Sequence, residues 1–158
     1  MTSLLSPATL RDRFVTTATA KFAAQVPDFV ALQALVRAQG GVFRNDHGAI
    51  RTADIALRDL FVRAARVLGL YRDRDYRFPA KKLVSFDLQA AGHDHTPFKI
   101  FVSQVDLDAY PADVAALIHA DCAEQAAAVD HRDFIALIAE AEASGGLREA
   151  DEIGRAHV

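Results

Sequence analysis

The spacing of apolar positions is helical at both ends of the chain and alternating in between, and this sets the expected order of elements. "SPATLRDRF" offers Ser6 as a cap with Pro7 in the first helical turn, where the missing proline N–H costs nothing. A second helix begins at Pro27, places Phe29, Leu32, Leu35 and Val36 on one face, and stops at Gly40-Gly41. After "NDHGAIRTA", Asp54 can cap a third helix with an apolar stripe of Leu57, Leu60, Phe61, Ala64, Val67 and Leu68, ending at Gly69. The period then shortens to two. "YRDRDYRFP" alternates polar and aromatic residues, "KKLVSFDLQA" alternates around Val84, Phe86 and Leu88, and "FKIFVSQV" is a short β-rich run. "AAGHDHTP" joins the last two as a loop or hairpin connection.

From Pro111 the helical pattern returns, with one stripe of Val114, Leu117 and Ile118 and another of Phe134, Leu137, Ile138 and Ala141. "SGG" at 144–146 breaks it before a short helical start, "LREADE". The expected fold is α+β: a β-α-β-β-β core with a small mixed, mostly antiparallel sheet and flanking N- and C-terminal helices. Helices would cover one sheet face and leave the other to form a concave site.

Composition narrows the function classes. A chain of 158 residues supports one core, and a net charge of −3 without a basic block argues against a nucleic-acid partner. The single cysteine, Cys122, excludes an internal disulfide framework and is expected to be a small apolar group on a helix. "MTSLLSPATLRDRF" lacks the pattern of a signal peptide, and no apolar run approaches the ~20 residues of a membrane helix, so a cytoplasmic enzyme or binding domain without a membrane partner is expected.

Candidate chemistry concentrates in residues 45–52. If 47–52 is a strand, His47, Ala49 and Arg51 share one face, and Gly48, Ile50 and Thr52 share the other. The His47 and Arg51 backbones would stand ~13 Å apart, a gap the long arginine can shorten by leaning over Ala49. Such a face suits a small dianion, one end on a metal held by imidazole and the other on guanidinium. On spacing alone, a polar strand leaving an Asn-Asp turn is the simpler explanation, and Asp46 is either a partner that orients His47 or a turn residue. Lys81 and Lys82 cannot both face the site; one could contact an anion, although solvated lysines are the simpler expectation. Ser103 or Gln104 could hydrogen-bond a ligand, His93 and His95 read as a surface loop rather than a metal pair, and His119 and His131 as helix-surface residues.

Three blocks, "NDHGAIRT", "YRFPAKKL" and "FKIFVSQV", with a leucine-rich helix between the first two, resemble the 2-oxoadipate dioxygenase/decarboxylase family, which is related to the vicinal-oxygen-chelate superfamily. The resemblance runs from about Phe29 to Val105. It implies one non-haem Fe(II) held by two histidines and a glutamate, with open positions for O2 and a 2-oxo dicarboxylic acid. It further implies oxidative decarboxylation of 2-oxoadipate to 2-hydroxyglutarate, a reaction of lysine catabolism. His47 matches the first iron ligand and Arg51 the arginine that pairs with a substrate carboxylate. The second histidine and the glutamate lie in a later half of the relatives.

The string ATC-GGA-AGA-GCA-CAC-GTC, the start of a widely used sequencing adapter, would encode the last six residues, "IGRAHV". Residues 153–158 are therefore read as adapter read-through, with a natural short terminus as the alternative, and residues 1–152 as an N-terminal half. On that reading the fragment is inactive, and the surface meant for the other half favours self-association. Two rival readings remain: a metal-free module capturing a small carboxylate on Arg51, and a helical interaction domain in which neither His47 nor Arg51 faces a cavity.

Overall fold

A computed structural model describes residues 3–43, 47–91 and 98–148. Helix α1 (Pro7–Gln25) starts where Ser6 Oγ accepts from the Thr9 N–H at 3.1 Å. Val26 (φ −127°, ψ 85°) leaves the helical region, as a residue before proline tends to, and separates α1 from α2 (Pro27–Ala38). In α2 no residue is buried; Phe29 instead meets the rings of Phe22 and Phe43. Helix α3 (Ile55–Val67) is capped by Asp54, whose Oδ1 accepts from the N–H groups of Ala56 at 2.7 Å and Leu57 at 3.2 Å.

The main sheet contains β2 (His47–Thr52), β3 (Tyr71–Phe78), β4 (Leu83–Gln89) and β5 (Lys99–Val105) in the order β2-β5-β4-β3. β2 runs parallel to β5, and the other two pairings are antiparallel, giving the α+β architecture and mostly antiparallel sheet expected. One sheet face is covered by helices: Phe86, Leu88, Ile100 and Val102 pack with Ala65, Leu70 and Phe98, flanked by Val15 of α1 and Val62 of α3. The helix thus turns Ala65 and Val62 to the sheet, while Leu57 and Leu60 of the expected stripe line a groove toward the C-terminal helices.

The helices expected after Pro111 form, and one C-terminal expectation is corrected. Helix α4 (Ala112–Ala128) buries no residue, and Leu117 of its apolar stripe is 71% exposed. Helix α5 (Arg132–Ser144) does pack, through Ile138 and Ala141. Beyond it, Leu147–Arg148 is a strand, β6, and not a helical start; it pairs with β1 (Leu4–Leu5). Left-handed Gly145 (φ +76°) ends α5 and reverses the chain. A Cβ on Gly146 would lie 2.8 Å from the Leu5 carbonyl oxygen, so the pairing needs a glycine there. Residues 149–158, including the suspected read-through and His157, lie outside the described residues. Among the described residues no helix is long and apolar enough to cross a membrane.

Candidate functional site

The exposure of β2 alternates residue by residue: His47, Ala49 and Arg51 are exposed, and Gly48, Ile50 and Thr52 are half-buried on the helix side. A Cβ on Gly48 would come within 3.2 Å of the Phe98 ring, so glycine lets that ring pack closely beneath the strand. Parallel pairing sets His47 beside Lys99, Ala49 beside Phe101 and Arg51 beside Ser103. Phe101 therefore fills the space that the small Ala49 leaves between the histidine and the arginine. The His47 and Phe101 rings meet edge-on with centroids 6.4 Å apart. The aromatic surface continues across the sheet through Tyr76, 5.2 Å from Phe101, and Phe78, 6.5 Å from Phe101.

These strands enclose a hollow of about 380 Å³ lined by His47, Arg51, Phe78, Lys81, Phe101 and Ser103, among others. A groove of about 640 Å³ lies on the other side of Arg51, between α3 and the C-terminal helices, with Leu57, Leu60, Cys122 and Ile135 in its walls. It is larger, but His47 does not reach it and its walls are mainly apolar. The smaller hollow, which joins an imidazole to two cations, is the better candidate for chemistry.

Beneath the hollow lies a buried polar row. Ser85 donates its hydroxyl to Ser103 Oγ at 2.9 Å, and both serines are buried. Asp87, 1% exposed, accepts from the Arg74 N–H at 2.8 Å, Gln89 Nε2 at 2.7 Å and the Tyr76 hydroxyl at 3.2 Å. Burial pushes the Asp87 carboxyl up, but the Arg74 N–H, the Gln89 amide, the Tyr76 hydroxyl and the Lys99 charge outweigh it and leave it below its ordinary value. The Tyr76 phenol is raised, by its own burial first and then by the Asp87 charge.

The sequence candidates separate cleanly. His47 and Arg51 come together on the hollow, as strand alternation requires. Asp46, His93 and His95 lie outside the described residues. Lys81 lines the hollow, whereas Lys82 places its ammonium 3.9 Å over the Tyr110 ring. Ser103 faces the hollow; Gln104 faces the helices and accepts from Arg58 Nη1. Cys122 is half-buried in the larger groove, which His131 also lines, and His119 is exposed. Phe78, Phe101 and Asp87 join the site beyond the residues expected from the sequence. The signal was present, since alternation sets Phe101 opposite the core residues Ile100 and Val102. Among the described residues, no three His, Cys, Asp or Glu side chains gather in a way that could hold a metal.

The family of 2-oxoadipate dioxygenases/decarboxylases matches residues 12–155, nearly the whole chain. The chain belongs to this family. Among solved structures, the hydroxyglutarate synthase from Pseudomonas putida superposes with a TM-score of 0.77 at 22% identity, over 96% of this chain and 41% of that one. Its complex with 2-oxoadipate matches equally well, with a TM-score of 0.77. A DUF1338-containing protein from Shigella flexneri gives 0.74 at 20% identity, over 93% of this chain and 44% of that one. The hydroxyglutarate synthase from Oryza sativa in complex with 2-oxoadipate gives 0.54 at 22% identity, over 75% and 42%. At these identities the structures show a shared fold. The chain spans about two fifths of the length of the first two. No curated protein matches the sequence.

Proposed function

We propose that this family member serves Fe(II)-dependent oxidative decarboxylation, in which a 2-oxo dicarboxylic acid and O2 give CO2 and a 2-hydroxy acid one carbon shorter. For 2-oxoadipate the product is 2-hydroxyglutarate, and one O2 balances the reaction. The observation that carries the reading is the presence of His47 and Arg51 on one hollow of a chain whose family match covers residues 12–155. In this reading His47 is one metal ligand, Arg51 holds a substrate carboxylate bidentately, and the Phe78–Phe101 wall excludes water from the methylene chain. Bound Fe(II) would offer open positions at which O2 is activated, with the 2-oxo acid as the net source of electrons.

The residues described fit the metal only in part. His47 is one imidazole donor on the exposed face, and a facial set needs two further protein ligands. Coverage of about two fifths of the relatives agrees with a chain that holds one part of the site. The 158-residue chain is therefore inactive by itself in this reading. A metal-free carboxylate-binding module stays in view because of the two cations on the hollow. The interaction-domain reading loses ground, since it required that neither His47 nor Arg51 face a cavity.

The test is anaerobic loading with Fe(II), then addition of 2-oxoadipate and O2 with CO2 measured. The chain alone is expected to release none above the iron-only background; iron-dependent release would overturn its inactivity. Sequencing the gene past codon 152 is expected to reveal a strand with a second histidine and, later, a glutamate. A continuation without them would leave the metal-free module as the reading.

A further inference from the structure

The turn between β3 and β4 positions a second cation that the proposed reaction does not yet use. Pro79–Lys81 forms a single 3-10 turn, closed by the Lys82 N–H donating to the Pro79 carbonyl at 3.0 Å. Lys82 then adopts a left-handed conformation (φ 50°), and its carbonyl accepts from the Asp106 N–H at 2.9 Å. This fold of the backbone sends the two lysines to different places. Lys82 is held over Tyr110, and Lys81 lines the hollow with its ammonium 6.0 Å from the Phe78 ring centroid.

The strand register shows where that charge lies relative to the others. Arg51 pairs with Ser103, and Leu83, next to the turn, pairs with Val105 two residues further along β5. Arg51 and Lys81 therefore sit at one end of the sheet, and His47 lies four residues back along β2. No acidic residue lines the hollow, and neither cation makes an ion pair among the described residues. Between the cations and the imidazole lies the Phe101 ring, level with Ala49, while the apolar side chains of Phe78 and Leu83 stand at the cations' end of the hollow.

We propose that Lys81 and Arg51 form a two-cation clamp for the carboxylate remote from the 2-oxo group of a dicarboxylic ligand. The inference rests on the proposed function for the orientation of the ligand, with its 2-oxo end toward His47. Arg51 supplies the planar fork, and Lys81 adds a point charge from the opposite wall. That pairing separates a dicarboxylic from a monocarboxylic 2-oxo acid, whose remote end would leave both cations unmatched.

The clamp is tested on the metal-free chain by titrating adipate and its neutral diamide, adipamide, followed by amide chemical shifts. Adipate has no 2-oxo group and no metal is present, so the result is independent of whether the chain supports decarboxylation. Adipate is expected to bind, with shifts at residues 51 and 81, and adipamide is not. Lys81→Met should weaken adipate binding about tenfold, the loss of roughly one charge-assisted contact. Lys81→Arg should restore most of it, and Lys82→Met should leave it unchanged, with all three spectra retaining the dispersion of the parent. Equal adipate affinity in Lys81→Met and the parent overturns the clamp, as does failure of the parent to distinguish adipate from adipamide.

Discussion

Each face of the central sheet hides residues from water, and the two do so by opposite means. On one face Leu88 and Val102 are 1% and 0% exposed because α1 and α3 lie over them. On the other, Ser85 and Asp87 are equally hidden, at 0% and 1%, with no described helix above them. Their cover is a lateral one of aromatic side chains, and their polar atoms are satisfied within the sheet by Ser103, Arg74, Tyr76 and Gln89. The helix-covered face is held by area and shape, which many apolar residues can supply. The hollow's face is held by named hydrogen bonds, which few residues can supply, and it is there that His47 and Arg51 emerge.

The contrast is broken most sharply on the apolar face. Leu88→Ala removes a side chain from the middle of the cluster of Phe86, Phe98, Ile100 and Val102. A cost of about 2–5 kcal/mol is expected, measured by urea unfolding, since a core closed by two helices collapses poorly around a cavity. The hollow's ligand binding should suffer only through the fraction unfolded. A loss below 1 kcal/mol would mean that the helix-covered face is not the main source of stability.

The same contrast governs what could be read in advance. Strand alternation predicted the facing of all six residues of β2, because one face of an edge strand is covered and the other is not. Local hydrogen-bond chemistry likewise made the Asp54 cap legible. Long-range consequences were not. β6 is fixed by its pairing with Leu4–Leu5 at the far end of the chain, and nothing in "LREADE" encodes that partner. The apolar stripe of α4 was visible, but its periodicity could not say whether anything covers it. Lys81 was separable from Lys82 in principle, since both could not face inward, yet the actual cause is a left-handed turn that needs no glycine and so left no mark.

The polar face is tested at Asp87. Asp87→Ala leaves the Arg74 N–H, the Tyr76 hydroxyl and the Gln89 amide without their acceptor, at a cost of about 2 kcal/mol because partly exposed donors can recover water. Its carboxyl sits below its ordinary value of 3.8 when folded. The stability it contributes is thus fully present above about pH 4 and is lost as the pH falls through the folded value. Asp87→Asn should flatten that acid limb in unfolding curves taken between about pH 5 and pH 2 while retaining the neighbouring fold. An unchanged acid limb would show that the buried row is not the source of this face's stability.

The smallest effect belongs to a pair that lies on neither face. Arg63 of α3 grips Glu142 of α5 through two contacts, at 2.7 and 3.0 Å, and both side chains are well exposed. The hydrogen bond from Arg63 holds the Glu142 carboxyl below its ordinary value of 4.5, so this pair too contributes above that pH and fades below it. Solvent screening limits what it adds, and Glu142→Gln should lower the unfolding midpoint less than either change above. Salt then distinguishes the two acid limbs. Raising ionic strength to about 1 M contracts the screening length to ~3 Å, which should erase the Glu142 contribution and leave that of the buried Asp87 largely intact. If both limbs vanish together with salt, Asp87 is being stabilised by distant charge and not by the three donors that surround it, and the polar face would be no more specific than the surface.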